Sequence, residues 1–340
     1  MIKIKQLKIG EKPLLDATLY SPMDNESHYG ILMCHGLASC KEEFMDLPEK
    51  LANIGFYVLT FDFRGHGKSE GVRSYITKES HLNDVKRALQ VLMEQTNVNE
   101  IVVLGHSLGT TAALRVANTE FGKNIKGLIL MAPPSRIVKN LDLVEWFLYK
   151  GISVMSEKIL KLTGTHIYIP YKIKPQDIYV DKQAIKKAQE LNILQKVLSA
   201  NNYQYLIKEQ DNCEYASFVK IPTLVMVASK DLIIQKNHSK EVFDSLASDF
   251  KEWIEIEDSG HSLAGDHKNE EVFEKIKQWL DKLFIKEEKD FSLTQPVQKS
   301  EVKNISLESK LEQIDDKDEL VIEQGETSEK TKINKKFKKK

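Results

Sequence analysis

An α/β fold, with a mostly parallel central sheet and helices on both faces, is what this 340-residue sequence predicts. Two observations carry the prediction: short runs of Val, Ile, Leu, Phe and Met at strand length, and helix-period apolar patterns between most of them. A third observation adds a feature. From Pro133 to Val219 no strand pattern reads as part of the sheet, so an inserted helical cap is expected there.

The first segment, Lys3–Tyr20, alternates apolar and polar residues with no helix in between, which predicts an antiparallel hairpin at one sheet edge. Buried strands are expected at Gly30–Cys34, Tyr57–Asp62, Glu100–Leu104, Lys126–Met131, Thr223–Ala228 and Trp253–Ile256. Helices are expected at Asp46–Ile54, Ser80–Glu94, Thr110–Ala117, Ser239–Leu246 and Asn269–Phe284. Strand alternating with helix implies right-handed crossovers and hence parallel pairing.

The predicted organisation is a core from 1–132 and 220–285, a cap from 133–219 and a disordered charged tail from 286–340. In the cap, Trp146, Phe147, Ile152, Met155 and Leu160 recur at helical spacing. Asp142, Glu145, Lys150, Glu157, Lys158 and Lys161 interrupt the same window, which excludes a membrane span. Past Ile285, Lys, Glu, Asp, Ser and Gln dominate, too few apolar groups to offset chain entropy. The Lys-rich end, Lys335–Lys340, allows weak contact with an anionic membrane surface or RNA, against the plainer reading of a solubilising end with no partner.

Lys plus Arg number 49 and Asp plus Glu 50, a formal charge of −1. That balance gives no electrostatic reason to expect nucleic acid as a partner. The opening residues lack the apolar run of a secretory signal, so a cytoplasmic soluble protein is expected. Cys34, Cys40 and Cys213 lack disulfide-framework or zinc-site spacing, and no H-x-x-x-H pair occurs; no metal or organic cofactor is implied.

The informative stretch is Gly105-His106-Ser107-Leu108-Gly109, where an apolar strand runs into an Ala-rich helix. A serine boxed by glycines at that junction is a nucleophile candidate, although glycines also end strands for no other reason. A serine nucleophile needs a base, an orienting group and donors for an oxyanion. In an open parallel sheet such groups collect beyond the carboxyl ends of strands. There the sequence places His35-Gly36-Leu37, then Ser229-Lys230-Asp231, then Asp258-Ser259-Gly260-His261.

With Asp62-Phe63-Arg64-Gly65-His66-Gly67-Lys68-Ser69 these motifs resemble the α/β-hydrolases over about residues 1–285, most nearly the monoacylglycerol-lipase-like and serine-aminopeptidase-like (S33-type) group. The resemblance implies the α/β-hydrolase fold. It assigns Ser107 as nucleophile, His261 as general base and then acid, and Asp231 as the carboxylate that holds the histidine tautomer. The Leu37 and Leu108 amides are expected to form the oxyanion hole.

Asp258, three residues before His261, competes for the acid role, and each residue alone also has a bland reading, His261 capping a loop or Asp231 a helix. His35, His66 and His106 are expected to pack loops and make supporting hydrogen bonds, as are Asp62 and Arg64. Trp146, Phe147, Ile152 and Met155 are expected to line an apolar channel in the cap.

These expectations define a serine hydrolase acting on carboxylic esters with an apolar acyl group. An aminopeptidase, amidase or thioesterase of the same fold is the enzymatic alternative. The amine-accepting version calls for a cap carboxylate, such as Glu145, Glu157 or Glu214. A non-catalytic ligand-binding or scaffold protein of the same fold is the alternative of a different class.

Overall fold

The computed structural model describes residues 2–23, 28–136, 143–202 and 204–294, and residues 1–294 form one compact unit. The expected hairpin is present. Strand β1 (Lys3–Ile9) pairs antiparallel with β2 (Leu15–Ser21), Ile9 opposite Leu15, and β2 continues antiparallel onto β4 (Tyr57–Phe61).

From β4 onward the sheet is parallel. The remaining strands are β3 (Tyr29–Cys34), β5 (Glu100–His106), β6 (Ile125–Met131), β9 (Thr223–Ala228) and β10 (Lys251–Ile256). The eight-stranded order is β1-β2-β4-β3-β5-β6-β9-β10. Chain order reverses between β3 and β5, because the chain leaves β3 to one side for β4 and returns to the other side for β5. Connections that diverge from neighbouring strands leave a crevice above their carboxyl ends, which is where such sheets bind ligands.

Both faces of the sheet are buried, as near-continuous apolar strands require. On one face Ile31, Met33, Val102, Leu104 and Ile129 pack with α1 (Leu47–Asn53) and the Trp279 side of α9 (Asn269–Thr294). On the other, Leu32, Val103, Leu128 and Val225 pack with α2 (Lys78–Thr96), α3 (Leu108–Ala117) and α8 (Lys236–Ser245). Thr77 caps α2 by accepting from the Ser80 amide, and Asn97 ends the helix in the left-handed conformation at φ 58°.

The interval 133–219 lies between β6 and β9, which are themselves paired neighbours, so it is an excursion from the sheet. It contains α4 (Leu143–Thr163), α5 (Pro175–Ile178), α6 (Lys182–Glu190) and α7 (Asn212–Ala216). It also holds β7 (Tyr168–Pro170) and β8 (Val197–Ser199), a small antiparallel pair where only helices were expected. Three-residue strands are too short to show a period of two.

Helix α9 runs past Ile285 to Thr294. Lys286-Glu287-Glu288-Lys289 offers little to bury, but Glu and Lys are good helix formers and extend a helix already anchored upstream. Residues 295–340, including the Lys-rich end, lie outside the described residues.

Candidate active site

Ser107 is the hinge between β5 and α3. Its backbone takes φ 51°, ψ −118°, a conformation that costs a residue bearing a Cβ on the order of 1–3 kcal/mol. The strain is held in place from both sides: the Ser107 amide donates to the Met131 carbonyl at 2.9 Å, and the Ser107 carbonyl accepts from the Thr110 amide at 3.0 Å and from Thr110 Oγ1 at 2.6 Å.

The flanking glycines serve close approach. A Cβ on Gly109 would collide with the backbone carbonyl of Cys34 on β3, and one on Gly105 with the backbone of Gly109 itself. Helix α3 can therefore seat directly on β3 and β5 only with hydrogens at both positions.

Across the crevice, β3 ends in the turn Gly36-Leu37-Ala38-Ser39. The Ser39 amide donates to the Gly36 carbonyl at 3.4 Å and Ala38 takes φ 56°, the sign a type II turn needs at its third residue. The turn approaches the serine closely: a Cβ on Gly36 would lie 3.3 Å from Ser107 Cβ. Leu108 is the first residue of α3, where an amide has no acceptor within the helix. Among the described residues, neither the Leu37 nor the Leu108 amide has a hydrogen-bond acceptor.

His261, in the loop after β10, places Nδ1 2.8 Å from Asp231 Oδ2, in the loop after β9. Asp231 Oδ1 accepts the Ile233 and Ile234 amides, each at 2.8 Å. Burial pushes the Asp231 carboxyl up, but His261 and the two amides outweigh it and hold the pKa below the usual value. An ionised carboxylate only accepts, so Nδ1 carries the proton and Nε2 is the nitrogen left for the cavity. Asp258 is half-exposed and paired with Lys230.

The supporting histidines behave as expected. His35 donates from Nδ1 to the Gly36 carbonyl at 2.8 Å and accepts the Phe63 amide at Nε2 at 3.0 Å. His66 bonds the Arg64 carbonyl at 2.9 Å, and burial, with His35 alongside, pushes its pKa down to about 3. Asp62 accepts the Lys41 and Lys68 amides at 2.7 and 2.8 Å, and Arg64 grips Asp84 through Nε and Nη2. These bonds stiffen the loop that follows β4.

His106 makes two such bonds, both buried. Its Nδ1 lies 3.0 Å from Glu43 Oε1 and its Nε2 3.0 Å from the His261 carbonyl. Glu43 was not foreseen; it sits in a 3₁₀ turn (Lys41–Phe44) whose sequence carries no motif. None of the three cysteines forms a disulfide, and burial pushes the thiols of Cys34 and Cys40 up, as suits packing residues. Cys40, Glu42 and Asp62 bring ligand atoms within 4.8 Å of one another. Both Asp62 oxygens are already engaged there, and Lys41 Nζ fills the place of a cation, 3.5 Å from Asp62 and 2.6 Å from Asp16.

Ser107, Leu37, Leu108 and His261 wall one cavity of about 430 Å³. Its far side comes from the interval 133–219, through Ile173, Ile178, Tyr179, Leu194, Leu198 and Leu206. Two of the four expected lining residues, Ile152 and Met155, have described side chains. Met155 is 54% exposed, and neither it nor half-buried Ile152 is part of the wall. Among the α4 residues whose side chains are described, Ser153 and Ser156 are the buried ones. Trp146 and Phe147 lie on the same helix, but their side chains are outside the described residues.

A parallel sheet with a strained serine at its switch point, beside an imidazole–carboxylate pair, defines a hydrolase of the α/β-hydrolase fold. The family model described as serine aminopeptidase, S33 matches residues 25–268, and the chain belongs to that family. It is 24% identical over 258 residues to phospholipase YtpA of Bacillus subtilis, covering 74% of this chain and 94% of that one.

Two solved structures share the fold. A monoacylglycerol lipase of Paleococcus ferrophilus matches with a TM-score of 0.63 at 21% identity, covering 83% of this chain and 99% of that one. A soluble variant of the Saccharomyces cerevisiae monoglyceride lipase, bound to a substrate analogue, matches at 0.65 and 18%, covering 83% and 96%. Among the described residues no helix is long and apolar enough to cross a membrane.

Proposed function

We propose that this chain is a serine hydrolase that cleaves carboxylic esters of an apolar acyl group through an acyl-enzyme on Ser107. One observation carries the reading: Ser107, His261, and Leu37 and Leu108, whose amides have no acceptor among the described residues, line one cavity, with Asp231 on Nδ1 of the imidazole.

The chemistry follows from those positions. His261 Nε2 takes the hydroxyl proton as Ser107 Oγ attacks the ester carbonyl, and Asp231 stabilises the imidazolium that forms. The carbonyl oxygen becomes an oxyanion and is received by the Leu37 and Leu108 amides at the positive end of α3. The same imidazolium then protonates the leaving alkoxide. Water, activated by the same base, releases the acid and restores the serine.

Preference for an apolar acyl chain over a peptide amine rests on the wall. Glu43 is the one carboxylate among the described lining residues, and it is committed to His106. Among the described lining residues no carboxylate is left to receive an amine, while Ile173, Leu194, Leu198 and Leu206 offer an apolar surface. In this reading the interval 133–219 acts as the cap that shapes the acyl site. The phospholipase and monoacylglycerol lipase names of the similar proteins agree with a lipid-derived ester.

A fluorophosphonate probe tests the nucleophile. The wild-type chain is expected to be modified at Ser107 and the Ser107→Ala variant to stay unmodified. A folded wild-type protein that hydrolyses no ester and takes no label would favour a ligand-binding or scaffold role.

A further inference from the structure

His106 and Glu43 are more than loop packing. Their side chains are 6% and 5% exposed, so a bond between them is made away from bulk water. A carbonyl oxygen only accepts, so His106 Nε2, 3.0 Å from the His261 carbonyl, carries a proton. Nδ1 faces Glu43 Oε1 at 3.0 Å, and that same oxygen accepts the Gly36 amide at 2.9 Å. Burial pushes both groups toward neutrality. Each overcomes it through the other: the Glu43 carboxyl is held below its ordinary pKa and the His106 imidazole above its own.

The consequence is a chain of contacts through the base of the crevice. Gly36 belongs to the turn that presents the Leu37 amide. His106 immediately precedes Ser107, and His261 hangs by its own carbonyl from the His106 ring, the two rings 4.7 Å apart between centroids. The turn after β3, the end of β5 and the loop after β10 thus meet at two side chains. Buried ion pairs contribute little net stability, so alignment is the more useful product of this one.

We propose that Glu43 and His106 are positioning residues, a single buried unit that sets the Gly36 turn and the His261 backbone in register with Ser107. The proposal rests on the serine-hydrolase reading above. It makes neither residue a proton carrier in the reaction. Their effect is to hold other groups within the fraction of an ångström that productive geometry demands.

The test uses the full chain, hydrolysis of a short p-nitrophenyl ester, the rate of fluorophosphonate labelling, and a melting curve for each variant. Glu43→Ala and His106→Phe, the latter keeping a ring without nitrogens, should each lower kcat and the labelling rate about 10- to 100-fold, with KM within about twofold. The double variant should be no worse than the worse single, because the two act as one unit. Glu43→Gln, with its amide oxygen in the place of Oε1, can still accept from Gly36 and from a protonated Nδ1 of His106, so it should keep clearly more activity than Glu43→Ala.

Should Glu43→Ala fail to fold, His106→Phe and Glu43→Gln carry the comparison. Wild-type kcat in folded His106→Phe, losses that multiply in the double variant, or a Glu43→Gln no better than Glu43→Ala would overturn the proposal. A wild-type chain that is not labelled at Ser107 would instead overturn the reading beneath it.

Discussion

His261 Nδ1 and Asp231 Oδ2 lie 2.8 Å apart, although the two residues stand on loops after different strands. Strands β9 and β10 are parallel and paired in register from Thr223–Lys251 to Ala228–Ile256, so their loops leave the sheet at the same edge. The pairing of the strands makes the pairing of the side chains.

Asp231→Asn is therefore expected to leave the fold intact and to lower kcat by on the order of 10³–10⁴-fold, since an amide can donate to Nδ1 and favour the wrong tautomer. Steady-state ester hydrolysis at neutral pH checks this. A loss under tenfold would show that the carboxylate does not set the tautomer.

Ser107→Ala and His261→Ala should each abolish turnover while changing unfolding free energy by no more than about 1–2 kcal/mol. The strained φ of 51° adds a second expectation. Ser107→Gly should be more stable than Ser107→Ala by about 1 kcal/mol, the reverse of the usual order inside an element. Urea titration of the two variants decides it.

Gly109→Ala should destabilise the chain by about 1–3 kcal/mol or more, because the new methyl meets the Cys34 backbone and neither side can yield without moving a strand. Gly151→Ala, with open space around it on α4, should be neutral or stabilising. Denaturation midpoints of the pair separate close approach from a general intolerance of glycine replacement.

Acyl-chain selectivity should respond to the observed wall. Leu198→Trp or Leu206→Trp fills part of the cavity and should shift preference toward shorter esters, whereas Met155→Ala should leave the profile unchanged. A series of p-nitrophenyl esters of graded length provides the readout. Equal profiles for wild type and both Trp variants would place the acyl chain elsewhere.

Acid stability should report His66. Its folded pKa of about 3 lies below its unfolded value near 6.5, so the unfolded chain binds the extra proton first. The stability due to its neutrality is complete above about pH 6.5 and drains away as pH falls toward 3. Wild-type unfolding free energy should therefore fall more steeply between pH 6.5 and 4 than that of His66→Asn. Parallel slopes would show that the buried ring does not titrate on unfolding.

Much of this was legible in the primary structure. Apolar runs such as Ile101–Leu104 and Leu128–Met131 announced buried parallel strands, and the glycine-boxed Ser107 announced the sharp turn. The Gly36 turn and the order Ser107, Asp231, His261 placed the site at one sheet edge. The choice of Asp231 over Asp258 came from the resemblance; the hydrogen bond to His261 agrees with it, while Asp258 points to Lys230 and solvent.

Less legible was whatever depends on long-range packing. The helical spacing of Ile152 and Met155 was real, yet which face of α4 turns inward depends on how that helix lies on the rest of the chain. Leu194 in a bend, Leu198 in a three-residue strand and Leu206 in a short π-helical segment (Gln204–Glu209) gave no periodic signal and still line the cavity.

The sequence by itself determined the fold class, the strand order of the candidate nucleophile, acid and base, and the two glycines without which α3 could not seat on the sheet. Those are local or edge-of-strand properties, written in residues a few positions apart. Only the tertiary structure decided that Glu43 would grip His106 across 63 positions of chain, and which cap residues would face Ser107. Such contacts are fixed by the angles at which whole elements pack, and no short window of residues encodes those angles.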